Sequence, residues 1–388
     1  MDNTKEFLDI IESISNKTRL SGSKGESDTV RYLKKYIAKN IGGKTIIQKF
    51  KILTWREEAL PHLTIGDETI SCRSVYYSPK SNIRGTLEYF GESTEEKGNE
   101  FAVYCIRSKS KTIVSFLSVS RNYPKPFYYN KGGPTYLIPN LIIGSAYEDF
   151  FHKNIGKEVR LKTDTKYVVK NSYNLIHKIT HRKNRLKLIV GAHIDTVPHS
   201  TGLLDNASGI AGALLVSQNL KKMKLPFDVW VVYFGAEENS MFGSKFFLET
   251  LTEEENSLMR YMVAIDGIGL GDNTSIYAEK DYHKQIEKSF GEIISNTTID
   301  DVDNMLEVSD HYYFKLHGVD CCFVEGSPTA FYCHNEEAND IKYLNAELSM
   351  KTIQALTEFV INIKFQSPKV VFENKRKKAL QTLLRFFR

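Results

Sequence analysis

Acids and histidines in this chain gather next to apolar runs. Lys187-Leu-Ile-Val-Gly-Ala-His193-Ile-Asp195 is followed by Leu204-Asp205-Asn206-Ala-Ser-Gly209, Val231-Val-Tyr-Phe-Gly-Ala-Glu237-Glu238 and Met262-Val-Ala-Ile-Asp266, with Tyr332-Cys-His334 far downstream. Imidazole and carboxylate donors without a cysteine pair suit zinc or a similar divalent ion in a working site, not a structural zinc knot. His193 and Asp195 are two apart, so on extended backbone they face one side. Asp195 could hold the second nitrogen of a metal-bound His193, or both could bind metal. Asp205 reads as a helix N-cap on its own; its place in the loop region that follows His193 favours a ligand instead. Glu237 and Glu238 would raise each other's pKa as adjacent buried anions, and a cation beside them removes that conflict. Neighbouring side chains on extended backbone diverge, so one would ligate while the other holds or deprotonates a water. The alternative for the pair is a solvated acidic turn. His311, in Ser309-Asp310-His311, is a further candidate for lining the cleft, whereas His199 reads as a surface residue.

These groups need elements to position them. Residues 5–40 have helical spacing, broken at Ser21-Gly-Ser-Lys-Gly, and 44–53 reads as a strand. Residues 57–168 carry short β-like runs with turns rich in Gly, Pro and Asn. From about 170 strands and helices alternate: strands at 186–190, 229–234, 261–265 and 321–324, helices from near Asp205, at 244–251 and at 344–363. Such alternation predicts an α/β fold with a mainly parallel mixed sheet sandwiched by helices. The expected division is a catalytic domain of 1–56 and 169–388, interrupted by a mostly β module at 57–168. Ligands in such sheets gather at the carboxyl ends of the strands. His193, Glu237, Glu238 and Asp266 all fall there.

Composition narrows the partners. The chain has 388 residues, 41% hydrophobic and 26% charged, enough apolar material for a large core. A net charge of +5, from 52 basic and 47 acidic residues interspersed, is too mild for a nucleic-acid binder. No apolar signal core or membrane-length run is visible. The five cysteines, Cys72, Cys105, Cys321, Cys322 and Cys333, form no C-x-x-C pair, which fits a reducing, cytoplasmic setting. Cys333 abuts His334 as a free thiol or as a thiolate ligand. The basic amphipathic tail within 365–388 would dock on its own domain, on a second subunit of a homo-oligomer, or weakly on a membrane surface.

Taken together, Ala192-His-Ile-Asp195, Leu204-Asp-Asn-Ala-Ser-Gly209, Gly235-Ala-Glu-Glu238, Gly243-Ser244, Ile265-Asp266, Ser309-Asp-His311 with Phe314 and Gly318-Val319, and His334 resemble the co-catalytic dizinc aminopeptidases, the group of aminopeptidase Y and glutamate carboxypeptidase II. Ser21-Gly-Ser-Lys-Gly-Glu26 looks like that group's opening. The resemblance covers about 1–55 and 170–365. It implies two zinc ions and a peptide substrate cut at its N-terminus. His193 and Asp266 would hold one zinc, Glu238 and His334 the other, and Asp205 would bridge. Asp195 would orient His193, and Glu237 would be the general base. The oxyanion would fall to Tyr332 or His311. The 57–168 module sits where relatives carry a protease-associated domain. Two other activities share the scaffold: glutaminyl cyclase-like acyl transfer with a single zinc, and a dizinc carboxypeptidase or deacylase. A non-catalytic receptor would have lost ligands that this chain keeps.

Overall fold

A computed structural model describes residues 3–94, 99–128, 137–182, 184–326, 334 and 339–366. The N-terminal helices are α1 (Asn3–Ile14) and α2 (Lys24–Asn40), the latter begun by Ser23, whose hydroxyl accepts from the Glu26 amide. A long strand β1 (Lys44–Ile65) leads to β2 (Glu68–Ile70), β3 (Cys72–Ser74), β4 (Ser81–Thr94), β5 (Glu100–Arg107), β6 (Ile113–Ser120), β7 (Asn140–Ile143) and the short α3 (Glu148–Lys153). An equally long β8 (Glu158–Lys178) returns antiparallel to β1, from Ile65 opposite Val159 down to Lys44 opposite Lys178. There follow β9 (Lys187–His193), α4 (Gly209–Lys221), β10 (Asp228–Phe234), α5 (Phe242–Glu249), α6 (Glu253–Leu258) and β11 (Met259–Asp266). The chain continues as β12 (Thr274–Ala278), α7 (His283–Gly291), β13 (Thr297–Asp301), α8 (His311–Leu316), β14 (Asp320–Gly326) and α9 (Ala346–Asn362).

One sheet runs β13-β12-β14-β11-β9-β10-β8-β4-β5-β6-β7-β3, with β1 along the other edge of β8. Its middle, β14-β11-β9-β10, is parallel, and β12 and β8 join that block antiparallel. The mixed sheet flanked by helices that the sequence predicts is therefore present, with its parallel part confined largely to this central block. Both faces are covered, which is why its strands read as unbroken apolar runs. On one face Leu188, Val190, Val231, Val263 and Ile265 pack with α1, α4 and α9. On the other, Ile189, Trp230, Val232, Phe234 and Met262 meet Phe247 of α5 and Phe314 of α8.

The β-rich part has its own core, built from Leu63, Leu87, Tyr104, Ile106, Leu117, Leu141, Phe151 and Leu161 among others. The β1–β8 ribbon passes unbroken through positions 57 and 168, shifting register near Glu57 and Ala59. The two cores are thus joined by a continuous two-stranded stalk. Among the described residues no helix is long and apolar enough to cross a membrane.

Candidate metal centre

Parallel strands end side by side, and three of these ends carry the polar groups. His193 closes β9, Asp266 closes β11, and Glu237 and Glu238 lie in the turn after β10. In register His193 lies opposite Phe234. That turn bends sharply through Ala236, whose φ of 57° is in the left-handed region. Asp205 comes from the β9–α4 connection and does not cap α4, whose preceding residue is Ser208. The Asp205–Asn206 peptide is cis.

The carboxylate of Asp205 stands between the two imidazoles. Its Oδ1 is 2.9 Å from His193 Nε2, and its Oδ2 is 3.0 Å from His334 Nε2. Asp266 Oδ2 is 3.4 Å from His193 Nε2, and Glu238 Oε2 is 3.8 Å from His334 Nε2. Two donor groups result, His193–Asp205–Asp266 and Asp205–Glu238–His334, each with its ligand atoms within 4.8 Å of one another. They share Asp205.

The ring orientations say what belongs between these groups. His193 Nδ1 is 3.1 Å from the Asp195 carbonyl, and His334 Nδ1 is 2.9 Å from the Tyr128 carbonyl. A carbonyl only accepts, so each Nδ1 carries hydrogen and each Nε2 points its remaining valence at carboxylate oxygens. Those contacts require protons or cations. With Asp195, Glu237 and Asp310 also buried nearby, divalent cations match the surplus of negative charge. Among the described residues the donors are nitrogen and oxygen, a set that fits zinc.

Asp195 has a different task from the one its spacing suggested. Its carboxylate is 3.8 Å from His193 Nδ1, which is served by the main-chain carbonyl instead. The carboxylate accepts the Glu237 amide at 2.9 Å, the Glu238 amide at 3.2 Å and the Ser21 hydroxyl at 2.6 Å. It fixes the Glu-Glu turn and ties it to the N-terminal segment.

Two residues to which the sequence reading gave no role hold the loops, and a third, Asp310, adds a buried charge. Arg19 is fully buried and donates to the carbonyls of Ile14, Ile194, Thr201 and Gly202, spanning the His193–Asp205 connection. Asn206 donates to the Ile265 carbonyl at 2.9 Å and accepts the amides of Gly209 and Gly267, locking Asp205 against the end of β11. A Cβ at Gly209 would come within 2.1 Å of Asn206 Oδ1, so this position has no room for a side chain. Asp310 is buried and faces the charges of His193, Asp195 and Asp266. The only cue to Asp310 was its place beside His311.

His311 itself is a correction. It is wholly buried, stacked on Phe323 at 5.1 Å, with Nε2 donating to the Met305 carbonyl at 2.8 Å, so it packs in the core and does not line the cleft. Tyr332, Cys333 and the tail beyond residue 366 lie outside the described residues. His199 is partly exposed, 3.5 Å from Glu57 Oε2.

Burial dominates the titration of the cluster. It lifts the carboxyls of Glu237 and Glu238 well above the usual range, that of Asp310 to about 7 and that of Glu26 to about 8. Burial pushes Asp205 the same way, but its hydrogen bonds from His193 and His334 hold it well below the normal value. Burial alone would lower His193, whereas Asp266, Glu237 and the bond to Asp205 raise it well above. A carboxyl whose folded pKa exceeds its unfolded one binds more protons in the folded state, so stability falls as pH rises between the two. Metal-free protein is therefore expected to lose thermal stability from about pH 4 to about pH 8, the window set by Asp310 (3.8 to about 7) and Glu26 (4.5 to about 8). Added zinc should remove that slope. Melting temperatures with chelator and with zinc across this window check it; a rise in the chelated protein would contradict the burial of these groups.

Known proteins resemble this architecture. A family model described as peptidase family M28 matches residues 174–360. The probable leucine aminopeptidase 2 of Aspergillus oryzae is 21% identical over 357 residues, 82% of this chain and 71% of that protein. Aminopeptidase YwaD of Bacillus subtilis is 26% identical over 281 residues, 65% of this chain but only 60% of that protein. The solved structure of BSAP, a zinc aminopeptidase from Bacillus subtilis, superposes with a TM-score of 0.71 at 18% identity, over 92% of this chain and 94% of its own. At that identity the likeness establishes the fold.

Proposed function

We propose that this centre, in a chain that the peptidase family M28 model matches over residues 174–360, removes N-terminal residues from peptides with two zinc ions. The observation that carries the reading is Asp205, with one carboxylate oxygen turned to each histidine Nε2. A shared carboxylate is what a paired-ion site needs and a single-ion site does not. That distinction favours a two-zinc hydrolase over single-zinc acyl transfer. His193 and Asp266 would hold one ion, Glu238 and His334 the other. When bound, such a pair supplies Lewis acidity toward the scissile carbonyl and lowers the pKa of water, a chemistry for which aminopeptidases are among the known cases.

The chain's own residues do the rest. Glu237 stands outside both donor groups; burial strengthens its hold on a proton, and cations beside it would oppose that rise as His193 does, leaving a carboxylate that can take one. It removes the proton from the attacking water and delivers it to the leaving amine. Asp195 keeps Glu237 in place by accepting its amide hydrogen. The module at 57–168, read as protease-associated-like, restricts which peptides reach the centre.

A panel of chromogenic aminoacyl-amides, with and without chelator, tests this. Hydrolysis of free but not of N-blocked substrates, abolished by chelator and restored by zinc, is expected. Cyclisation of an N-terminal glutamine peptide in place of hydrolysis would move the chain to acyl transfer, and release of C-terminal residues to carboxypeptidases.

A further inference from the structure

We propose that Tyr128, contributed by the β-rich module, is a positioning residue for His334, so that the module completes the metal position formed by Asp205, Glu238 and His334; this rests on the two-ion reading above. The two histidines are oriented differently. His193 takes its Nδ1 acceptor, the Asp195 carbonyl, from its own strand end. His334 takes its acceptor from Tyr128, more than 200 residues earlier in the sequence, at 2.9 Å. The pairing is reciprocal, since the Tyr128 amide donates back to the His334 carbonyl at 3.4 Å.

Tyr128 is itself pinned through its side chain. Its hydroxyl donates to Glu57 Oε2 at 2.5 Å, and the Glu57 side chain on β1 is fully buried. Its ring stacks on His199 at 6.2 Å and belongs to a buried cluster with Trp55, Tyr76, Tyr77 and Val197. His199 and Val197 sit in the connection between His193 and Asp205. A phenol bound to a carboxylate is a strong and directional anchor, and the group opposite a ligating imidazole sets ring direction and basicity. The side chain of Tyr128 thus fixes the direction of the carbonyl that aims His334.

The test uses the full-length chain, stripped of metal and titrated calorimetrically with zinc. Wild type should bind two ions. Tyr128→Phe keeps the ring and loses the anchor; it should weaken one ion about tenfold and leave the other unchanged. Glu57→Leu should reproduce this, and Glu57→Gln, which still offers an acceptor oxygen, should recover most of the affinity. In the cobalt-substituted protein the visible bands of one position alone should shift. Wild-type affinity at both positions in Tyr128→Phe and Glu57→Leu would overturn the proposal, and so would equal weakening of both positions, which marks general loosening. Fewer than two ions in wild type would overturn the two-ion reading and this proposal with it.

Discussion

Glu237→Gln is expected to retain both ions and to lose about 10³-fold in kcat. Glu237 belongs to neither donor group, so its loss leaves the ligand set complete. Glutamine preserves size and the backbone amide that Asp195 accepts at 2.9 Å, so the turn should keep its shape. What disappears is the group that moves protons. Burial holds this carboxyl well above its ordinary pKa in the metal-free cluster, and the nearby positive charge of His193 opposes that rise. Ions bound beside it push in the same direction as His193, toward a carboxylate that accepts a proton near neutral pH. Metal content and kcat measured on the same preparation separate the two effects. Full turnover with full metal would assign the base elsewhere, and loss of metal would make Glu237 a ligand.

Asp205→Asn should act in the opposite way, removing metal first and activity as a consequence. The carboxylate meets His193 with one oxygen and His334 with the other. An amide offers one oxygen and presents hydrogens where the second stood, so it serves one position and repels a cation at the other. The variant also removes one negative charge from a shared place. Zinc affinity should fall by at least about 100-fold at one position and measurably at the other, with activity below detection at micromolar zinc. Asp266→Asn provides the contrast, because Asp266 belongs to a single group and should disturb one position. If Asp205→Asn held two ions as tightly as wild type, the bridge would be refuted.

The ligands were legible because chemistry and placement coincide. Residues of β9, β10 and β11 are buried on both faces and read as apolar runs, and a hard donor directly after such a run has few other reasons to be there. The outer strands β12 and β13, and α6, α7 and α8, were not legible, since each spans at most 9 residues, too few to display a hydrophobic period. The full length of the ribbon was hidden as well. Beyond the 44–53 stretch, Lys162, Lys166 and Lys170 recur along β8 and interrupt the apolar pattern that marks a strand. Arg19 and Asn206 escaped notice because they act on main-chain groups of distant loops, and no spacing rule marks such partners. His311 was misread for a related reason. Adjacent residues at a helix start turn in different directions, so Asp310 faces the charged cluster while His311 packs against Phe323.

The β1–β8 ribbon also bears on how the molecule assembles. During synthesis β1 emerges well before its partner and waits unpaired until the whole β-rich module has followed. If that module folds first, it brings Ile65 beside Val159 and turns a long loop closure into a zipper that runs one residue pair at a time toward Lys44 and Lys178. Past the register shifts between Glu57 and His62, the zipper must close in one register, from Glu57 opposite Thr165 to Lys44 opposite Lys178. Asn174, near its lower end, accepts the Gly235 amide at 3.0 Å and donates to the Gly243 carbonyl at 2.8 Å, while Ser172 bonds to Glu26. A slip of one residue would turn both side chains to the opposite face and release the strand end that carries Glu237 and Glu238. Exchanging the module for one from a relative therefore requires that the length of the ribbon be kept to the residue, however freely the distal strands are replaced.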